Sequence, residues 1–350
     1  MVRVSTGILA VAFCVAAAPA LAHHSFAPHF DANKPVSISG TVREFEARNP
    51  HAYLHIDAVD ENGRTREYVC ESNGVTQLAR NGLTPAMLKA GTKVRVTGSL
   101  SRHSEYMCFF NTIAFEDGRT LNLSSAGRPS APAAAARRSD IFGTWLLAPM
   151  PNRQTSGPQP MIDLMTPAGQ KAVAAYDPFK DDPVFRCEPV HIRRVWGAPG
   201  TPLEIVHDGR DIVIHAEWMD VRRVVHMGQT QAPKNVTRTA LGYSTGRMDG
   251  DTLVIETANY APGVLNQYVE MPGQPTRGLL HSAALTNTER IHVDAARQRL
   301  VVEIDQRDPE FFTQPFPRTT YEYGPTDLKI EPFNCSREGL TGTIKKTASR

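Results

Sequence analysis

His23-His24-Ser25 follows directly on Ala20-Leu21-Ala22. A cut after Ala22 would make His23 the first residue and give it two nitrogen ligands at once, its free amine and a ring nitrogen. One more imidazole completes the T-shaped set that suits copper, and clustered imidazoles suit other divalent ions as well. His51 is the best-placed third ligand, because Pro50 stiffens its approach to a strand entrance. His24, His29 and His55 could substitute, and His51 and His55 share strand parity. The candidate metal set is therefore His23, His51 and His24, with copper the cofactor considered. The alternative is a solvated tail with His51 packed against it.

A second polar set lies far along the chain: His215, Glu217, Arg222, Arg223, Arg247, His281, Glu289 and Arg290. A barrel can gather such side chains from separate strands around one ligand. In a catalytic reading His281 is a general acid or base near neutral pH, Glu289 orients it, and Arg247 or Arg290 stabilises an anion. In a binding reading His215, Glu217 and Arg223, with Trp218 beside them, contact the ligand. The competing account is an ion-paired network that fixes strand register, since structural networks resemble sites. Trp145, Trp196 and Trp218 also suit a core. Gly242-Tyr243-Ser244-Thr245-Gly246 has the letters of a nucleophile elbow, but a turn and an alternating strand follow it where the elbow needs a helix. No phosphate-cradling glycine loop, C-x-x-C-H haem attachment or H-E-x-x-H helix occurs in the sequence.

The first 22 residues, with Arg3, the apolar run from Ile8 to Ala18 and small residues at Ala20 and Ala22, have the form of a cleavable secretory signal. Export to a periplasm follows as the expected localisation. Cys14 leaves with the leader, and Cys70, Cys108, Cys187 and Cys335 remain as an even set for an oxidising compartment. A domain boundary between Cys108 and Cys187 favours pairing Cys70 with Cys108 and Cys187 with Cys335. Hydrophobic content of 41%, charged content of 21% and net charge +2 are ordinary for globular protein and lack the basic excess that nucleic acid requires. No later apolar run is long enough for a membrane helix, so the expected partner is a small-molecule ligand, with no nucleic acid and no membrane insertion.

Two lobes must position these groups. Residues 23–123 alternate as short strands over Val36 to Glu44, His51 to Val59, Thr65 to Cys70, Lys93 to Ser99 and Cys108 to Phe115, with one helix over Thr84 to Lys89. Five strands and a helix suit a small OB-type barrel. Residues 124–140, rich in Ala, Pro, Ser and Arg, read as a linker. Residues 141–350 open with Gly143-x-Trp145, pass a helix over Thr166 to Tyr176, and continue as about eight strands. These run over Leu203 to His207, Asp211 to Met219, Val221 to Met227, Thr252 to Thr257, Leu285 to Val293, Arg299 to Asp305, Thr319 to Tyr323 and Leu328 to Pro332. The fold class is mainly β: an OB-like small barrel, then a larger antiparallel, lipocalin-like barrel with few short helices.

The first lobe resembles a family of exported bacterial proteins of unknown function, through His23-His24-Ser25-Phe26, Asp31 to Pro35, Asn49-Pro50-His51, Gly82-Leu83-Thr84 and Asp117-Gly118-Arg119. The second is similar to an uncharacterised periplasmic family, through Cys187-x-Pro189, Val221-Arg222-Arg223, Gly250-Asp251-Thr252-Leu253-Val254 and Thr288-Glu289-Arg290. It departs from that family's pattern at Met248 and Ala283, which stand where the family shows tryptophan and glutamate. Neither resemblance implies a reaction. The residues themselves lead to a binding protein for a small, largely apolar molecule. The alternatives are a cofactor-independent lyase, isomerase or hydrolase in the second barrel, and a copper-handling protein.

Overall fold

The computed structural model describes residues 29–123, 137–148, 163–177, 180–198, 200–269 and 277–337. The expected leader 1–22, His23 and His24, and most of the expected linker lie outside the described residues. Arg137 and Arg138, at the linker's end, are seated on the second lobe, with Arg138 N–H donating to Gln298 Oε1 at 2.9 Å.

The first lobe contains β1 (Phe30–Glu46), β2 (His51–Val59), β3 (Thr65–Asn73), β4 (Lys93–Ser101), β5 (Met107–Phe115) and β6 (Thr120–Asn122), with helix α1 (Val75–Arg80) after β3. Strand order is β3-β2-β1-β4-β5-β6, and a parallel β3–β5 pairing closes the first five strands into a ring. That is the five-strand closure expected of an OB-type barrel. The closing register sets Cys70 opposite Cys108, and the two form a disulfide with Cα atoms 4.4 Å apart. At Gly98 the β4–β5 register shifts. A Cβ there would stand 1.8 Å from the Phe109 carbonyl oxygen, so only glycine permits the close approach. The helix expected over Thr84 to Lys89 is a single 3-10 turn, Pro85–Met87. Helix α1 was not legible in the sequence.

The second lobe contains β7 (Gly143–Leu147), α2 (Pro167–Ala175), α3 (Ile192–Trp196), β8 (Pro202–Asp208), β9 (Asp211–Ala216), β10 (Val221–Met227), β11 (Tyr243–Asp249), β12 (Thr252–Ala258), β13 (Gly263–Val269), β14 (Arg277–His281), β15 (Thr286–Asp294), β16 (Arg299–Arg307) and β17 (Thr319–Pro325). Nine strands close in the order β10-β11-β12-β15-β16-β17-β7-β8-β9, while β13 and β14 form a separate hairpin. The closed barrel agrees with expectation, but it has nine strands, not about eight. Its β10–β11 pair is parallel, so the barrel is not a pure antiparallel meander. Residues 228–242 return the chain along the barrel, the longer connection that a parallel pair requires. Leu328 to Pro332 forms no strand; Glu331 N–H donates to Glu217 Oε2 at 3.0 Å and Phe333 N–H to Asp220 Oδ1 at 2.8 Å within the second lobe. The residues beyond tie the lobes together, the Asn49 side-chain amide donating to the Phe333 carbonyl and Ser336 N–H to the Asn49 carbonyl at 2.8 Å.

Inward side chains pack the middle of the barrel: Trp145, Leu147, Leu203, Ile205, Ile212, Ile214, Val225, Leu253, Ile255, Ile291, Val302 and Tyr323 belong to one buried cluster. The interior is a core and not a hollow, as small barrels generally are. α2 and the hairpin contribute a smaller apolar cluster that includes Val173, Tyr260, Leu265, Leu279, Leu285 and Phe312. The second disulfide, Cys187–Cys335, spans 148 residues, and loop-entropy reasoning assigns it about 5 kcal/mol against about 4 kcal/mol for the shorter one.

Candidate functional site

At one end of the barrel the inward-facing row changes from apolar to polar. Ser244, Thr257, Asn287 and Gln306 are register partners across β11, β12, β15 and β16 in unbroken succession. One row deeper, Glu289 stands between Ile255 and Ile304. Arg223, reaching in from β10, donates to Ser244 Oγ at 2.9 Å, Thr257 Oγ1 at 2.7 Å and Glu289 Oε1 at 3.0 Å, and its second terminal nitrogen bonds Glu289 Oε2. Trp196, on α3, adds a hydrogen bond from Nε1 to Glu289 Oε1 at 2.5 Å. Both ionic partners are buried. Burial opposes the guanidinium charge, and the Glu289 carboxylate outweighs it, so Arg223 is held above the ordinary arginine range. This pair forms a charged but internally neutralised floor.

Above the floor, three rings converge. His191 lies 4.9 Å from Tyr260 and 5.1 Å from His281, and Tyr260 lies 5.7 Å from His281, measured between centroids. All three are buried. Burial lowers both histidines below their usual range; for His191 the neighbouring His281 and arginines reinforce it, while for His281 the Ser282 carbonyl and Asp308 oppose it. Both imidazoles are therefore neutral near pH 7, and their partners fix their tautomers. The backbone N–H of Arg193 donates to His191 Nδ1 at 3.1 Å, as at a helix N-cap, so the hydrogen of His191 is on Nε2. The carbonyl of Ser282 can only accept, so at 2.9 Å it receives a hydrogen from His281 Nδ1 and leaves Nε2 with a lone pair.

Arg193 sets a second group. Its guanidinium donates to Gln306 Oε1 at 2.8 Å, which turns the Gln306 amide nitrogen the other way. Among the described residues, Gln306 Nε2, His191 Nε2, Tyr260 OH and both amide atoms of Asn287 are buried and in no direct hydrogen bond, although the Thr257 and Asn287 side chains interact with the Tyr260 phenol. Thr257 and Asn287 face the Tyr260 phenol, and burial foremost holds that phenol above its usual range. A buried donor or acceptor left unmet costs about 1–3 kcal/mol. Five such atoms from four separate segments at one barrel end are an arrangement that a bound molecule, or ordered water, would complete.

The expected site residues divide. His281 and Glu289 are both at this barrel end, but Glu289 is taken up by Arg223 and Trp196, and His281 is oriented by the Ser282 carbonyl. Arg247, 57% exposed, pairs with Glu256 on the outside. Arg290 is on the face of β15 opposite Glu289. Strand β9 ends at Ala216, which breaks the parity expected to carry His215 and Glu217 on one face. His215 is half-buried beside Glu204 and Arg222. Glu217 is buried and clamped by the Arg80 guanidinium of α1, at 2.5 Å for one of the two contacts. Trp218 is half-buried with the Arg194 guanidinium 5.8 Å from its ring centre, and Arg222 pairs with Asp208 on the surface. Of that set only Arg223 reaches the polar end. Ser244 is a buried strand residue bonded to Arg223, not a nucleophile on a turn.

At the other candidate site, His51 is fully buried, with Nδ1 3.7 Å from Glu71 Oε1 and the Phe185 ring 5.7 Å away. His55 is gripped by Glu67 at 2.8 Å and Glu46 at 2.9 Å. Burial, then His103 and His51, push His29 down to about 3. Among the described residues no group of three or more His, Cys, Asp or Glu is placed to hold a metal ion.

Sequence reasoning missed His191, Tyr260, Asn287 and Gln306. A signal exists for two of them: Asn287 heads the row Asn287, Glu289, Ile291, Val293, and Gln306 ends the row Leu300, Val302, Ile304, Gln306, each a polar residue on an otherwise apolar face.

A model of a family of unknown function (DUF6152) matches residues 11–108, which reach from the expected leader into β5. No curated protein matches the chain. Among solved structures, the crystal structure of the ZRD-deleted mutant of TiaS in complex with agmatine is 17% identical over 28% of this chain, with a TM-score of 0.22. The match spans only 28% of that protein's length, and the likeness is too slight to bear on fold or function. What these comparisons establish is a similarity of the first lobe to a family of unknown function.

Proposed function

We propose that the protein is exported to the periplasm, trimmed after Ala22, and binds a small, uncharged molecule at the polar end of the second barrel. The observation that carries this reading is the set of five buried polar atoms in no direct hydrogen bond with the protein, gathered from the N-cap of α3, β15, β16 and the residues after β12. The Arg223 and Glu289 charges neutralise each other, so the floor itself offers no counter-charge to an ionic ligand. Tyr260, Leu265, Leu279 and Leu285 pack together alongside. A ligand with a mainly apolar body and a carbonyl or hydroxyl head matches both surfaces. Two disulfides, and no helix among the described residues long and apolar enough to cross a membrane, agree with an exported protein.

The test is Asn287→Leu. If Asn287 is kept for a ligand, leucine removes two polar atoms that make no direct hydrogen bond and loses only a contact with the Tyr260 phenol, and the thermal midpoint should rise by a few degrees, about 1 kcal/mol. Ligand-observed NMR against small neutral ketones, amides and alcohols should meanwhile show binding to the native protein and none to the variant. A loss of more than about 1 kcal/mol in Asn287→Leu would refute the reading, since it would reveal partners inside the protein. Equal binding by both proteins would refute it too.

A further inference from the structure

The same barrel end holds the components of a proton transfer, an inference that rests on the binding reading above. Two neutral imidazoles with opposite, fixed tautomers stand 5.1 Å apart in a buried site: His191 presents Nε2–H, and His281 carries a lone pair on Nε2. A Cβ on Gly263 would stand 3.4 Å from His281 Nε2, a van der Waals distance, so the glycine leaves room for one carbon atom beside that nitrogen. Gln306 adds a second N–H donor with its orientation set by Arg193. Tyr260 O–H is a third.

We propose that the protein catalyses enolisation of a small, neutral ketone or aldehyde, with His281 Nε2 as the base and His191 Nε2–H and Gln306 Nε2–H as the donors to its oxygen. The α-carbon–hydrogen bond breaks and its proton goes to His281 Nε2. The electron pair left behind forms the carbon–carbon double bond, and the carbonyl π electrons move to the oxygen, where the two N–H donors meet the growing negative charge. His281, now an imidazolium, lies in the field of Asp308, whose carboxylate binds the neighbouring Ser282 N–H at 2.6 Å and Ser282 hydroxyl at 2.7 Å. Return of the proton to the same carbon gives exchange. Return to a more distant carbon of a conjugated substrate moves the double bond. No oxidant, metal or cofactor enters the balance.

Fixed donors that need no rearrangement as charge develops are what this chemistry requires. A neutral histidine suits the role of donor, because it polarises the oxygen without giving up its proton first. Arg193 touches neither substrate nor reacting atoms: its backbone N–H holds His191, its side chain holds Gln306, and it is a positioning residue.

The probe is phenylacetone, which joins an apolar ring to a carbonyl with exchangeable α-hydrogens. Its α-hydrogen signal is followed by NMR in D2O with the full disulfide-bonded protein, beside N-methylimidazole at equal concentration, and binding is measured separately by saturation-transfer NMR. The native protein should exchange the α-hydrogens well above the imidazole control. His281→Gln, which keeps an acceptor but no base, should lose about a hundredfold or more of that rate while still binding. Arg193→Met should lower the maximal rate more than the apparent affinity, an asymmetry that a merely structural residue would not produce. Binding without exchange by the native protein overturns enolisation and leaves the binding site standing. Full exchange by His281→Gln overturns the assignment of the base. Absence of phenylacetone binding overturns both this inference and the binding of a carbonyl head on which it rests.

Discussion

Replacing Glu289 by leucine separates a structural carboxylate from a catalytic one. In the folded protein Glu289 has no exposed surface, and Arg223 is 2% exposed. Removing the carboxylate leaves the guanidinium with two hydroxyls, Ser244 and Thr257, as its remaining partners, and strands the Trp196 indole N–H in the core. Loss of one member of a buried ion pair costs about 3–5 kcal/mol, and one unmet donor about 1–3 kcal/mol. The two overlap, since both follow from the same missing oxygens, so roughly 4 kcal/mol is expected. For a lobe of this size that lowers the thermal midpoint by on the order of 10 °C. Removing both charges together, in Arg223→Met with Glu289→Leu, should recover most of the loss, because well-packed apolar replacements of a buried pair are often neutral or stabilising. The assay is a denaturant midpoint for the native protein, both single variants and the double variant, read by tryptophan fluorescence. A Glu289→Leu loss under about 1 kcal/mol, or a double variant as unstable as the sum of the singles, would refute the idea that the pair is a self-neutralised floor.

Two further perturbations bear on the neutral histidines and on the contact between lobes. His29, His191 and His281 all have folded pKa values below the ordinary 6.5, His29 down to about 3, with burial the leading cause each time. Protons therefore bind the unfolded chain first as pH falls: stability is full above about pH 6.5 and drains away below it, by about 1.4 kcal/mol per pH unit for each such histidine. His191→Asn, which keeps an N-cap acceptor, should reduce that acid slope by about one proton in urea unfolding measured from pH 7 to 4.5; an unchanged slope would show that His191 is charged in the fold. Arg80→Met should cost about 3 kcal/mol by leaving the buried Glu217 carboxylate with only the Glu331 N–H among the contacts described. Calorimetry that finds no shift would show that Arg80 and Glu217 do not hold the lobes together.

Strands were legible wherever one face is buried, because alternation then has a physical cause. Thr252–Ala258 and Arg299–Arg307 bury alternate side chains in the barrel core, and their pattern is plain in the sequence. Tyr243–Asp249 was not legible as a strand: its inward row holds Ser244 and Gly246, which give no apolar signal. The same cause hid part of the site. Glu289 and Arg223 attract notice as charges inside apolar runs, and His281 as a histidine, whereas Asn287 and Gln306 look like ordinary polar strand residues until the register sets them side by side. His191 and Tyr260 could not be associated at all, since α3 precedes the barrel's second strand and Tyr260 follows its sixth; only barrel closure brings them within 4.9 Å. Parity failed at His215 and Glu217 because the strand ends at Ala216 and Glu217 already takes helical angles, φ −58° and ψ −40°, before Met219 and Asp220 turn the chain with positive φ values of 62° and 48°.

The filled interior bears on where a ligand can go. A barrel whose centre already holds Trp145, Ile205, Ile255 and Val302 gains nothing from a guest there, since a guest would have to displace packed side chains whose contacts stabilise the fold. Its polar end is the reverse case. Leucine or valine at positions 287 and 306 would pack against Ile304 and Leu285 and remove unmet hydrogen-bonding groups, and folding alone would favour that exchange. Arg193 works against it, spending its backbone N–H and its guanidinium to aim His191 and Gln306 toward a place where the described residues offer them nothing. Orientation without a recipient makes physical sense when the recipient arrives from outside the chain, which is why the end of the barrel, and not its middle, is where binding and proton transfer are to be sought.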